Sequence, residues 1–301
     1  MKVSQHHSPP YLPFADGQWR MVPGLRSLDL QTWIEIDEHL ERELALKETL
    51  LQQRYAEVFA SLPGSEPGQQ EILDLLVTHL LKHFPQHYQR EGDRLHNLAT
   101  GQTWNLSDFK AAPLDLAGRL VQEDFCLMHS APEGYVLSAA SVCFPSRWLL
   151  AEKIGRPMGQ IHAPVPGYAE KLRSPVNQFF EQIRSDRPVW RLNWSIVDSP
   201  DLFLLQSRDA APSLNAANAG EKLWIRVERQ TLRRLPQSRN ILFTIRTYVY
   251  SLRVLETEPT AARGLAAAIQ QISPEMQQYK TLLPIREVLL NYLADTIQNL
   301  D

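Results

Sequence analysis

One of the nine histidines in this chain is set apart by its neighbours. The run Gly159-Gln-Ile-His162-Ala-Pro-Val-Pro166-Gly167 places an imidazole among Ile161, Ala163 and Val165, with prolines at 164 and 166. Proline fixes its own φ and pushes the residue before it towards extended backbone, so the arm is stiff. An axial metal ligand needs such a setting: a neutral ring, one tautomer, little water. The same surroundings suit a histidine that only packs. His79, His83 and His87 form a second group at four-residue spacing. They lack the glutamate of a zinc-protease helix, and Pro85 breaks the turn before His87, so they read as an exposed helix face.

Two further stretches carry chemistry. Trp190-Arg-Leu-Asn-Trp194-Ser-Ile alternates, so on a strand Trp190, Leu192, Trp194 and Ile196 share one face and Arg191, Asn193 and Ser195 the other. The aromatic face is either core or the wall of a ligand pocket, which makes Trp194 a candidate substrate contact. Between residues 226 and 246 arginine is dense. Glu228 shares a strand face with Trp224, and a carboxylate on a partly buried face needs a partner or a use. Holding a protonated amine is one use; a salt bridge to a neighbouring arginine is the other reading. Arg234, Arg239 and Arg246 carry guanidinium groups suited to anionic carboxylates, with surface solvation as the plain alternative.

These residues need a frame. Residues 8–31 read as an extended arm, followed by amphipathic helices over 31–60 and 70–84, with Asp29 as a cap and turn residues at 62–68 between them. Residues 100–112 look irregular. Strands are expected over 120–128 and 135–144, joined as a hairpin at Glu133-Gly134. A short helix from Ser146 to Lys153, the His162 loop and a helix over 168–185 come next. Three more strands follow at 190–197, 222–229 and 241–252, with a polar insertion at 207–220, and helices at 260–271 and 281–299 close the chain. The expected fold class is α+β: a PAS-like five-stranded antiparallel sheet with inserted helices, flanked by N- and C-terminal helical segments. Residues 1–112 are the N-terminal arm and helices, 113–256 the core and 257–301 the C-terminal helices. PAS-like modules sense or bind ligands, and several hold heme under the inserted segment, where His162 falls. The small residues Ser138, Ala139, Ala140 and Ser141 leave room for a flat macrocycle or for close helix packing.

Composition narrows the classes. The net charge of −3 gives no basic stripe for nucleic acid. No apolar run reaches the length of a membrane span, and the N-terminus lacks a secretory h-region. Two scattered cysteines build neither a disulfide framework nor a metal cluster, so the expected compartment is the reducing cytoplasm. No dinucleotide loop, P-loop or nucleophile elbow is present, so a redox enzyme of this sequence would take electrons from a partner.

Several blocks carry a resemblance. They are Pro10-Tyr-Leu-Pro-Phe14, Trp33-Ile-Glu-Ile-Asp37, Gln122-Glu-Asp124, Lys153-Ile-Gly155, Ile161-His162-Ala-Pro-Val-Pro166 and Arg191-Leu-Asn-Trp194-Ser. To these add Glu228-Arg-Gln-Thr-Leu-Arg-Arg-Leu-Pro236 and Ile241-Leu-Phe-Thr-Ile-Arg246-Thr-Tyr248. Together they resemble the heme-dependent oxidative N-demethylase family over about residues 10–250. The resemblance implies a catalytic, monooxygenase-type subunit that binds heme b and removes a methyl group oxidatively from a small secondary amine such as dimethylamine. Oxygen is consumed and formaldehyde released. Flavin and iron–sulfur partner subunits pass on electrons from NADPH. His162 lies in a matching block and takes the axial role. Arg234 and Arg239 are the expected cofactor contacts, Glu228 and Arg246 the expected catalytic groups, and Trp194 with Glu228 the expected substrate contacts. A heme sensor or heme-binding interaction module is the rival reading.

Overall fold

The computed structural model describes residues 9–20, 24–205 and 213–300. The N-terminal part supplies strand β1 (Arg26–Ser27), helices α1 (Leu40–Gln53) and α2 (Tyr55–Val58), strand β2 (Phe59–Ser61) and helix α3 (Glu66–His83). A small sheet follows, β3 (Tyr88–Glu91), β4 (Arg94–Asn97) and β5 (Thr103–Asn105), then helix α4 (Pro113–Leu120). The hairpin β6 (Asp124–Ala131) and β7 (Gly134–Ser141) leads into a segment holding α5 (Met158–Ile161) and α6 (Arg173–Gln182). Next come β8 (Val189–Val197), α7 (Ala216–Lys222), β9 (Trp224–Arg234) and β10 (Ile241–Ser251). Helices α8 (Pro259–Gln271), α9 (Pro274–Tyr279) and α10 (Arg286–Leu300) end the chain.

The main sheet is antiparallel and seven-stranded, in the order β1-β8-β9-β10-β6-β7-β2. Five strands were expected; β1 and β2 are short edge additions from the N-terminal part. The five long strands lie as second, first, fifth, fourth and third in chain order. The β3–β5 sheet was not expected, because strands of three or four residues leave too short a pattern to read. Leu120 ends α4 rather than starting a strand: the helix is short, and its last apolar residues run on into those that precede β6. The helix expected after Ser146 shrinks to a turn of 3-10 helix, Leu150–Glu152. Residues 21–23 of the expected arm and 206–212 of the expected polar insertion lie outside the described residues.

Alternation divides the sheet residues into two sets. Trp194, Val227, Arg229, Leu242, Arg246, Tyr248, Phe125 and Leu127 point one way. This face packs on the N-terminal helices through Leu50, Leu51, Ile72, Leu76 and Leu114, and on the C-terminal helices through Ala261, Leu265, Met276 and Leu289. Two close approaches fix that layer. A Cβ on Gly264 would lie 2.4 Å from the Phe14 carbonyl, so the N-terminal arm rests directly on α8. A Cβ on Gly118 would lie 2.0 Å from Ser141 Oγ, so at that position the small residues of β7 admit helix α4.

The other face carries Arg191, Asn193, Arg226, Glu228, Gln230, Leu232, Arg234, Phe243 and Ile245. The segment between β7 and β8 covers one end of it, where Cys126, Met128, Leu232 and Ile241 meet Met158, Ile161, Phe179 and Phe180. The middle is less covered. Asn193, Glu228, Gln230, Phe243 and Ile245 all remain partly exposed, although β9 and β10 are interior strands.

Candidate functional site

His162 terminates α5 rather than sitting in an open loop. Pro157 is the N-cap of this short helix, and His162 at φ −100° is its C-cap. Its ring is then fixed twice. Nδ1 lies 3.1 Å from the Met158 carbonyl, which can only accept, so Nδ1 carries the proton and Nε2 the lone pair. Tyr168 stacks on the imidazole at 5.0 Å and 18°. Burial holds the imidazole below its ordinary pKa of 6.5, the Met158 bond pulls the other way, and Lys153 and Arg191 add to the depression. Among the described residues no group bonds Nε2. A neutral imidazole with one nitrogen pinned and the other free is the state in which histidine ligates a metal. Ile161 packs on the cluster beneath α6 and Val165 on the one beneath the C-terminal helices. Gly167, at φ +73°, turns the chain into the next helix.

The sheet face beside this segment is polar and short of partners. Glu228 Oε2 accepts from Gln230 Nε2 at 2.9 Å and Asn193 Nδ2 at 3.3 Å, while Oε1 has only Arg226 Nε at 3.8 Å. Arg226 is fully buried, and its terminal nitrogens hold the Phe144 and Leu202 carbonyls at 2.6 and 3.1 Å. The Arg191 side chain makes no hydrogen bond among the described residues, and its Nε is buried. Burial lowers the guanidinium's pKa, with Glu228 opposing. Lys280 joins this group from the end of α9. It donates to the Trp194 carbonyl at 2.7 Å, and burial pushes it down to about 8 against the pull of Glu228. The hydroxyls of Thr247 and Tyr168 are buried without partners. A hollow of about 300 Å³ between the hairpin tip and α5 lies on the outer side of the segment, and neither His162 nor Glu228 lines it.

Residues 24–290 match the model of the family described as haem-dependent oxidative N-demethylase, alpha subunit-like. The chain belongs to that family. The site residues expected of this N-demethylase family member fall on two sides of the sheet. His162 packs in the segment over one face and Glu228 stands on that face. Trp194 and Arg246 point to the other.

Trp194 is buried against Phe14 at 5.3 Å and Trp19 at 5.8 Å, in the core beneath the C-terminal helices. Arg246 is clamped by Asp37 at 2.6 Å and Glu43 at 2.9 Å. Arg234 gives Nε to the Ile183 carbonyl, one terminal nitrogen to the Arg239 carbonyl, both at 2.7 Å, and the other to Phe180 and Tyr135. Its three nitrogens tie α6 to the β9–β10 turn and are spent on the fold. Arg239 is exposed in that turn at φ +62°, with Ser185 Oγ at 3.3 Å. His79, expected on an exposed helix face, is buried against Trp33, and burial pushes it down to about 4. Arg191 and Tyr168 were not anticipated. The alternation at 190–196 did place Arg191 and Asn193 together, so the signal for Arg191 was present and the aromatic face drew the choice instead.

Proposed function

We propose that this chain is the catalytic subunit of a heme-dependent oxidative N-demethylase, with heme b held between the His162 segment and the polar face of the sheet. The observation that carries the reading is the His162 ring, pinned at Nδ1 by Met158 and with no hydrogen bond to Nε2 among the described residues, in the segment that precedes β8. Family membership supports it. The order of the five long strands, with a cover inserted after the second, is compatible with the PAS-like sheet proposed for it. His162 stands without companions: among the described residues no group of three metal-ligating side chains is assembled. One protein ligand suits an iron already held by a macrocycle better than a bare ion.

Bound heme supplies oxygen activation and the electron path that oxidises an N-methyl group. The residues of the chain bind and orient. His162 would hold the iron through Nε2, and Tyr168 and Met158 keep its ring in place. Phe243 and Ile245 offer an apolar floor that keeps water away from the reacting methyl. Glu228, steadied by Asn193 and Gln230, receives the ammonium form of a small secondary amine such as dimethylamine. The oxidised methyl leaves as formaldehyde. Electrons come from NADPH through flavin and iron–sulfur partner subunits, as the designation alpha subunit suggests. Cys126 and Cys143 are free and buried, which suits a reducing compartment such as the cytoplasm. No helix among the described residues is long and apolar enough to cross a membrane.

The test is turnover by the heme-loaded protein with a reductase, NADPH and dimethylamine. Formaldehyde should appear in step with amine consumed. Heme binding without formaldehyde from any of a panel of small secondary amines would sink the enzymatic reading and favour a sensor.

A further inference from the structure

The partly covered middle of the sheet collects more positive than negative charge. Arg191 and Arg226 share this face with Glu228, and Lys280 feels its charge from over the Trp19 and Trp194 rings; Asp124 assists only Arg226, so Glu228 alone cannot balance all three. Arg226 satisfies its terminal nitrogens on the Phe144 and Leu202 carbonyls, and Lys280 is bound to the Trp194 carbonyl. Arg191 alone of the three has neither a hydrogen bond nor a carboxylate within ion-pair distance among the described residues, and its Nε is buried. The side chain as a whole is half-buried, and a desolvated guanidinium nitrogen left this way costs stability unless something pairs with it. Its planar fork of five donors fits a carboxylate better than any other common group. It stands on the sheet face that the segment holding His162 covers at one end.

Resting on the heme assignment above, we propose that Arg191 receives a carboxylate of the macrocycle ligated by His162. Arg234 and Arg239 do not serve this role, since one is consumed by backbone carbonyls and the other sits exposed in the β9–β10 turn. The pairing has a consequence for the substrate. Once a ligand carboxylate neutralises Arg191, the charge of Glu228 is no longer shared with it, and Glu228 can hold an ammonium group. Loading the cofactor would thus prepare the amine site electrostatically.

The experiment is a Soret titration of the full chain with hemin and with hemin dimethyl ester, whose carboxylates are blocked. Wild type, Arg191→Ala and Arg191→Lys are compared. A charge-assisted pair lost on esterification should weaken binding to wild type roughly tenfold or more. Arg191→Ala should bind both forms equally, and Arg191→Lys should keep part of the preference. Arg191→Ala retaining the full wild-type preference would overturn the assignment while leaving heme binding intact. Equal binding of both forms by wild type would do the same. If wild type binds neither form, the heme reading itself fails and Arg191 falls with it. Circular dichroism of each variant confirms that a lost preference is not lost fold.

Discussion

On one face of the sheet Arg246 is held between Asp37 and Glu43, and Arg229 lies 3.1 Å from Glu35. Glu35 in turn accepts from Tyr11 and Tyr248, both at 2.5 Å, and Gln122 bridges Asp37 and Glu43 at 2.8 Å. On the opposite face Arg191 has no such partner, and Glu228 has one oxygen without a hydrogen bond. Both faces carry arginine on interior strands. On the first, Arg229 and Arg246 complete ion pairs with carboxylates of the N-terminal part, and Arg233 rests over the Trp33 ring at 5.2 Å; among the described residues Arg191 has neither kind of contact. Charge that is matched internally holds layers together. On the function proposed above, the charge of Arg191 is matched by a ligand from outside.

The sharpest way to break this comparison is to remove one arginine from each face. Arg246→Ala leaves Asp37 and Glu43 facing each other and should cost about 3–5 kcal/mol of stability in urea unfolding. Arg191→Ala removes a half-buried charge without orphaning an ion-pair partner, so its unfolding free energy should shift by no more than about 1 kcal/mol. Equal losses would erase the distinction between the faces.

Glu123 sharpens the picture of the matched face, because it is the misfit there. The side chain is fully buried, Oε1 accepts from the Glu35 amide at 2.8 Å and Oε2 has no partner. Burial pushes its pKa up to about 7 from an ordinary 4.5. Between those values the folded state binds a proton that the unfolded state releases. Stability therefore falls as pH rises through that window, by up to ~1.4 kcal/mol per pH unit, and levels off above it. Glu123→Gln should flatten this stretch of the stability–pH profile. A slope unchanged in the variant would assign the proton elsewhere.

The smallest effect belongs to His162. Because its imidazole is held below 6.5, a proton competes with a metal only at lower pH. Hemin affinity should stay level as pH falls through 6.5 and weaken below it. A midpoint at the ordinary value would show that burial does not act on this ring.

How far the sequence could be read follows from what alternation can and cannot say. The long strands β8, β9 and β10 show it well, and the segment between β7 and β8 is marked by its prolines, so the position of His162 was legible. The sharing of a face by Arg191 and Asn193 was legible too. What no local pattern gives is the partner. Asp37 and Glu43 meet Arg246 across about two hundred residues of chain, and nothing near position 246 announces that its charge is already matched. Arg234 was misjudged for the same reason: its acceptors are backbone carbonyls at the end of α6, which no residue type advertises. Trp194 stood out as an aromatic, but its face is settled by the C-terminal helices that cover it.

The central claim is that His162 is the ligand beside the unmatched face. Its most direct test is a hemin titration of wild type and His162→Ala, followed by absorption and electron paramagnetic resonance. Wild type should give the signature of histidine-bound heme; His162→Ala should lose it and regain it on adding free imidazole. A His162→Ala spectrum identical to that of wild type would place the ligand elsewhere and contradict the account.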